Sequence, residues 1–315
     1  MSLLIWRLHR NQVFFAAAAL TVAAVVLLIT GTVMAHDYHE FLANCAATQS
    51  CSSGQGQLFS GDGAIMDLVN FTLVVPLLFG LFWGAPLLAK DFEDGTHNLV
   101  WTQGVTRRHW LSTNVMWALL AAAAWGAVLA ALVSWWRFPE NALGTRFDAF
   151  DVQGIAPVAY SLFAVALGIA VGSIVKRVLP AIATTLGVFA VLRIVIAIYV
   201  RPHYMAPVSK LLALAGPKSN APPGAWFISS GIVGPNGQNF GDSFSFSDIP
   251  AVCRNGLFGK KGGPGCLASH GFHQLVTYQP ATRFWAFQSI EAALFVVLAA
   301  LLIAVAYRMV LRRDA

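Results

Sequence analysis

Residues 87–110 read LLAKDFEDGTHNLVWTQGVTRRHW, a polar stretch that lies between two long apolar runs. The stretch contains the carboxylates of Asp91, Glu93 and Asp94 together with lysine, arginine and histidine side chains. Such a concentration of charge is unusual in this chain, in which 11% of the residues are charged and 57% are hydrophobic. The stretch therefore marks a place where the chain leaves an apolar environment and then returns to it.

The apolar runs on either side of this stretch belong to a set of six along the 315-residue chain. A helix of about 20 apolar residues spans a bilayer and satisfies its own backbone hydrogen bonds. With a mean hydropathy of +0.65, the sequence excludes an ordinary soluble domain and predicts an all-α membrane protein with six transmembrane helices. The predicted spans are 13–35, 64–89, 110–136, 155–175, 178–200 and 284–307.

The first run also resembles a signal peptide, because Arg7 and Arg10 precede it. The apolar core of a signal peptide has only about 7–15 residues. The run is longer, so we interpret it as an uncleaved first span, and cleavage before His36 is the alternative.

The distribution of lysine and arginine predicts the orientation, because short cytoplasmic segments carry an excess of both residues. With the N-terminus inside, the inner segments hold Arg7, Arg10, Lys90, Arg107, Arg108, Lys176, Arg177, Arg308, Arg312 and Arg313. The short outer loops hold only Arg137 and Arg146. We therefore predict a multi-pass protein of the plasma (cytoplasmic) membrane with both termini in the cytosol. The net charge of +6 reflects this topology and does not indicate a nucleic-acid partner.

All four cysteines fall in predicted outer loops, where the environment is oxidising. Four cysteines allow three connectivities. Short loops are the cheapest to close, so we predict the disulfides Cys45–Cys51 and Cys253–Cys266, with four free thiols as the alternative.

The spans and loops divide the chain into five predicted segments. They are 1–35 with the amphipathic start and the first span, the outer loop 36–63, 64–200 with the inner loop 90–109, the outer segment 201–283, and 284–315. The 201–283 segment is rich in Gly, Pro, Ser and Asn, which predicts a loop-rich, disulfide-pinned extracellular cap with a short helix near VSKLLALAG. In the fourth span, Gly168 and Gly172 have the spacing of a helix-packing face, and a role in the substrate path is the alternative.

The 90–109 loop is predicted to form a short cytosolic helix with an exposed apolar tip at Leu99, Val100 and Trp101. Such a tip suits burial in a protein partner. A helix that lies on the membrane surface, with Trp101 at the interface, explains the residue pattern equally well.

Residues 82–110, FWGAPLLAKDFEDGTHNLVWTQGVTRRHW, closely resemble the loop between spans two and three of type-2 ABC exporter permeases, particularly small six-span actinobacterial ones. The stretches LRIVIAIYVRPHY at 192–204 and YQPATRFWAFQSIEA at 278–292 resemble the same family. The resemblance implies a coupling helix that docks on a separate ATPase. The residues it assigns to coupling are Glu93, Gly95, Thr96, Leu99, Trp101 and Arg107.

The resemblance further implies a complex of two ABC ATPase subunits and two copies of this permease in the lipid bilayer. ATP and magnesium would belong to the ATPase, and this chain would have no catalytic residues and no cofactor. The implied function is ATP-driven export, such as multidrug efflux, and the apolar spans suggest a drug, antibiotic or lipid as cargo. The alternatives are a stand-alone channel or secondary transporter and a membrane metal-handling protein.

Arg193 and Glu291 are the only two charges well inside the predicted spans. Arg193 lies seven positions before Val200, and Glu291 lies seven positions after Phe284. At 1.5 Å per residue, both lie roughly 10 Å below the outer surface. An unpaired charge at this depth is costly, so we predict an intramembrane ion pair.

Two pairs of histidines lie in the predicted outer loops, His36 with His39 and His270 with His273. On a helix this spacing places both imidazoles on one face, where a metal ion could bridge them. These residues are weak metal candidates, because imidazoles at a headgroup interface also form ordinary local hydrogen bonds.

Overall fold

The computed structural model describes residues 2–48, 69–70, 72–95, 106–214, 222–241, 244–245, 248–254 and 264–312. Within these residues, six helical stretches are long and apolar enough to cross a membrane, so the predicted fold class is confirmed. We number them spans 1 to 6. Their bounds are Leu20–Ala47, Thr72–Glu93, Arg107–Trp136, Ala156–Val175, Val178–His203 and Ala281–Leu311.

Span 1 is part of a helix, Ser2–Thr48, that is longer than predicted. The sequence placed the start of an outer loop at residue 36, but residues 36–48 continue the helix. They contain neither glycine nor proline, so nothing in the local sequence ends the helix there. Residues 49–63 of the expected loop and residues 64–68 of the predicted second span lie outside the described part of the chain.

Span 2 changes its helical geometry along its length. A 3₁₀ turn, Thr72–Val74, leads into an α-helix, Val75–Phe79. A π-helical turn, Gly80–Gly84, follows, and a second α-helix runs over Ala85–Glu93.

Span 4 is the α-helix Ala156–Val175, and it lies at the centre of the helical packing. About 78% of the most apolar stretch of span 4 is buried, compared with at most 39% for the corresponding stretches of the other spans. The predicted packing face is present, because a Cβ at Gly168 would lie 2.5 Å from Ala85 N. A Cβ at Gly172 would lie 2.6 Å from Ala85 O, so the backbones of spans 2 and 4 are in close contact.

The remaining spans are more regular. Span 3 is the α-helix Arg107–Trp136. Span 5 is the α-helix Val178–Val195, continued by a π-helical turn, Ile196–Val200, and a 3₁₀ turn, Arg201–His203. Span 6 starts with the 3₁₀ turn Ala281–Arg283 and continues as the α-helix Phe284–Arg312.

The chain forms two compact units. The helical unit comprises Met1–Glu140, Ala149–Ala197 and Ala286–Ala315. The second unit, which we call the sheet unit, comprises Asn141–Asp148 and Ile198–Trp285.

The sheet unit contains a four-stranded antiparallel sheet that the sequence did not predict. Its strands are β1 (Val208–Leu212), β2 (Trp226–Val233), β3 (Asn239–Gly241) and β4 (His273–Gln279), in the order β1-β4-β2-β3. The short helix expected near VSKLLALAG is therefore wrong, because residues 208–212 of this segment form β1, which pairs with β4. Short helices in this unit are Phe138–Leu143, whose last residues belong to it, Ala251–Arg254 and Pro264–Ser269.

A disulfide joins Cys253 to Cys266, as predicted, and connects the two short helices Ala251–Arg254 and Pro264–Ser269. The cysteines border a small apolar core that includes Leu267 and Phe272. Cys45 lies buried in the first helix. Cys51 lies outside the described residues, so the Cys45–Cys51 disulfide stays a prediction.

Candidate functional site

The start of the 90–109 loop is well defined. The helix of span 2 ends at Glu93, and Asp94 N still donates to Lys90 O at 2.9 Å. Gly95 follows with a φ of +68°, a left-handed conformation that commonly ends a helix. Glu93 and Gly95 thus lie where the chain leaves span 2.

The end of the same loop is also defined. Thr106 is extended, and its Oγ1 accepts from His109 N at 3.4 Å, which caps the helix of span 3. Arg107 is the first residue of this helix. Thr96, Leu99 and Trp101 lie outside the described residues, so their assignment to coupling stays a prediction.

Glu93 reaches a span distant in sequence. Its Oε2 accepts a hydrogen bond from Val178 N, the first amide of span 5, at 2.8 Å. Arg177 occupies the N-cap position of that helix, and no side-chain cap comes from Arg177 itself. The first amides of a helix have no partner within the helix, and a negative charge near them is favourable. Glu93 therefore caps span 5 from the end of span 2.

A second contact reinforces this connection. Lys176 adopts a left-handed conformation, with a φ of 57°, in the tight turn between spans 4 and 5. Its Nζ lies 5.1 Å from the centre of the Phe92 ring, within the range of a cation–π contact. We call Phe92, Glu93, Lys176 and Val178 the span 2–span 5 junction.

Within the helical unit, the structure brings Arg193 and Glu291 together. Arg193 Nη1 donates to Glu291 Oε1 at 3.1 Å. The Glu291 side chain has no exposed surface, and the Arg193 side chain is 9% exposed. The two charges thus face each other on spans 5 and 6.

Two further groups, which the sequence did not indicate, complete this cluster. Arg193 Nη2 donates to Asp151 Oδ1 at 2.9 Å, from the connection that precedes span 4. Tyr160 donates its hydroxyl to Glu291 Oε1 at 2.6 Å, and its ring lies 3.7 Å from Arg193 Cζ. We call Asp151, Tyr160, Arg193 and Glu291 the arginine cluster. It joins three spans and one connecting segment.

Gln288 lies one turn before Glu291 on span 6 and is fully buried. Its Oε1 accepts from Ile155 N and Ala156 N at 3.1 and 2.8 Å, and its Nε2 donates to Phe150 O at 2.8 Å. These bonds satisfy the first amides of span 4 and the segment before it. Span 6 therefore caps span 4, much as span 2 caps span 5.

The predicted histidine pairs differ from each other. His36 and His39 lie on one helix. His270 follows the helix Pro264–Ser269, whereas His273 begins β4, so the helical spacing argument is wrong for this pair. Among the described residues, the potential ligand atoms of Cys253, Cys266 and His270 lie within 4.8 Å of one another, but both sulfurs are consumed by the disulfide.

Among the described residues, six helices that are long and apolar enough to cross a membrane indicate a multi-pass membrane protein. The family model described as "ABC-2 membrane transporter related" matches residues 17–201, which is more than half of the chain. The chain belongs to this family, and its six helices fit an ABC-2 type permease. Searches of curated proteins and of solved structures gave no match.

The groups that the sequence did not indicate make contacts with residues far away in sequence, in some cases through backbone atoms. These groups are Asp151, Tyr160, Gln288, Lys176 and the Val178 amide. Their residue types are ordinary for their positions. Asp151 alone offered a signal, since it is an acidic residue just before an apolar span.

Proposed function

We propose that this chain is the transmembrane subunit of an ATP-driven exporter, and that a separate ABC ATPase hydrolyses ATP with its own magnesium. The observation that carries the proposal is the family match together with the 90–109 loop, which is anchored by Glu93 and Gly95 at one end and by Thr106 at the other. A polar loop with fixed ends and a predicted apolar tip at Leu99 and Trp101 suits docking on a soluble partner.

The proposed assembly contains two copies of this chain and two ATPase subunits. Closure of the ATPases on ATP would draw the two 90–109 loops together and shift the spans between inward-open and outward-open states. The chain would do no bond chemistry itself. Its cargo would be an apolar or amphipathic compound, because the predicted spans are rich in Leu, Val, Ala and Phe.

The proposed orientation places both termini and the 90–109 loop in the cytosol. Ten lysine and arginine residues in the predicted inner segments against two in the short outer loops support it. The Cys253–Cys266 disulfide also supports it, because disulfides persist on the oxidising side of the membrane.

The test is to look for an ABC ATPase gene beside this one, to co-purify its product with this chain, and to measure ATP hydrolysis by the pair in lipid vesicles. We expect a stable complex whose ATP hydrolysis requires both proteins. As the control, an ATPase with a substituted P-loop lysine should assemble but not hydrolyse. A chain that purifies alone and moves solute without ATP would instead support a channel or secondary transporter.

A further inference from the structure

The inner ends of spans 2 and 4, taken as the ends near the 90–109 loop, are packed backbone against backbone. A Cβ at Gly172 would lie 2.6 Å from Ala85 O and 3.3 Å from Ala89 N. Protein interiors at this density do not deform continuously, so the two helix ends move together or separate altogether.

Span 5 is joined to this packed pair by a very short turn. Only Lys176 and Arg177 separate the helix of span 4 from the helix of span 5. Lys176 is held over the Phe92 ring of span 2. The first turn of span 5 therefore cannot move far from the end of span 2 without breaking this contact.

Glu93 adds a directional hydrogen bond to this arrangement. Its carboxylate accepts a hydrogen bond from the Val178 amide at 2.8 Å, and the chain leaves the helix of span 2 at Gly95, two residues later. The residue that holds span 5 thus lies within the 90–109 loop, at the point where the helix of span 2 ends.

Span 5 is a continuous α-helix from Val178 to Val195, and a π-helical turn follows only at Ile196. Arg193 lies about 22 Å further along this helix from Val178. At that end, Arg193 is bonded to Asp151 and Glu291. One helix therefore connects the 90–109 loop to the arginine cluster.

We propose that Glu93 is a positioning residue that fastens the 90–109 loop to span 5, so that movement of the loop reaches the arginine cluster through span 5. This inference rests on the proposed function, because an ATPase must move the loop. If Glu93 acted only as a helix cap, its loss would lower the stability of span 5 but leave the ATP-driven movement of the remaining folded molecules unchanged.

Two pairs of variants isolate the hydrogen bond. Val178→Pro removes the amide that Glu93 bonds, and proline is well tolerated at the first position of a helix. Arg177 is extended, with φ −135° and ψ 134°, which suits a residue before proline. Val178→Ala is its matched control, because it keeps the amide. Glu93→Ala removes the acceptor, and Glu93→Gln keeps an acceptor oxygen.

The readout is the distance between spin labels on Val191 of span 5 and Val297 of span 6, both well exposed on their helices. The labels are attached through encoded keto amino acids so that the native cysteines stay intact. The complex with the ATPase is measured in vesicles with and without ATP and vanadate, and each result is scaled to the amount of bound ATPase.

We expect the parent, Val178→Ala and Glu93→Gln to show an ATP-dependent change in distance, and Val178→Pro and Glu93→Ala to lose most of it. If Val178→Pro and Glu93→Ala change as the parent does, or if Val178→Ala also loses the change, the proposal for Glu93 is overturned. A parent that neither binds the ATPase nor responds to ATP would overturn the proposed function, and the role of Glu93 would fall with it.

Discussion

At the residue scale, the guanidinium of Arg193 shows how a buried charge is accommodated in a span. Burial of an ion costs several kcal/mol after relaxation. Here the cost is offset by hydrogen bonds to two carboxylates and by the face of the Tyr160 ring. The pairing with Glu291 could be predicted from depth alone, because both residues are charged and lie at matched positions on consecutive spans.

Loss of Arg193 should destabilise the helical unit strongly. Arg193→Gln leaves Glu291 buried without its cationic partner, which should cost about 3–5 kcal/mol. Thermal unfolding in detergent measures the loss. Arg193→Glu and Glu291→Arg should each lose stability as single variants. Their combination should restore only part of that stability, because the new glutamate faces Asp151. Adding Asp151→Asn should complete the rescue, and wild-type stability in Arg193→Gln would contradict a role for the cluster.

Tyr160 should contribute through its hydroxyl and through its ring separately. Tyr160→Phe removes the bond to Glu291 but keeps the ring beneath Arg193, so we expect a loss of about 1–3 kcal/mol. Tyr160→Ala also opens a cavity at a fully buried site and should cost about 3–5 kcal/mol. Equal losses for the two variants, measured by the same unfolding assay, would show that the ring contact with Arg193 adds nothing.

At the element scale, the helical unit depends on the close approach of spans 2 and 4. The spacing of Gly168 and Gly172 predicted a packing face, and the structure shows that the face is used by span 2. The sequence could not identify span 2 as the partner, because its contribution is backbone at Gly80, Gly84 and Ala85 rather than a recognisable motif. The π-helical turn at Gly80–Gly84 lies at this contact.

Gly168→Ala should therefore push spans 2 and 4 apart. Its Cβ would collide with Gly80 O and lie 2.5 Å from Ala85 N, and backbone atoms cannot rotate away. We expect a loss of stability of about 1–3 kcal/mol. Gly187→Ala on span 5 is the matched control, because its Cβ meets nothing within 4 Å and should be neutral or slightly stabilising. Indistinguishable melting of the two variants would contradict the tight packing.

Strand β1 shows why the sequence failed in the sheet unit. The segment VSKLLALAG is rich in residues that favour helices, and its pattern gives no clear alternation. Its partner β4 lies far along the chain, and the pairing of Lys210 with Val276 fixes its conformation. Tertiary pairing thus overrides local propensity, which a single sequence does not reveal.

At the scale of the whole molecule, the observed disulfide Cys253–Cys266 and the predicted disulfide Cys45–Cys51 test the proposed topology. The Cys253–Cys266 bond connects two helices of the sheet unit. Mass mapping of a non-reduced digest should recover this link and, if the prediction holds, Cys45–Cys51 as well. A recovered Cys45–Cys253 link would contradict both pairings and would join the first helix to the sheet unit covalently.

The proposed function predicts that binding of the ATPase depends on Trp101 in the 90–109 loop. Tryptophan is enriched among the few residues that contribute most to protein interfaces, and truncation of such a residue costs about 2 kcal/mol or more of binding. Trp101→Ala should therefore weaken ATPase binding by about 30-fold or more, at roughly 1.4 kcal/mol per factor of ten. Titration of the ATPase onto the permease in lipid nanodiscs measures the affinity. Trp117→Ala, an exposed position on span 3, is the matched control and should bind like the parent. If Trp101→Ala also binds and activates the ATPase like the parent, then Trp101 lies in the membrane interface, and the 90–109 loop docks through other residues.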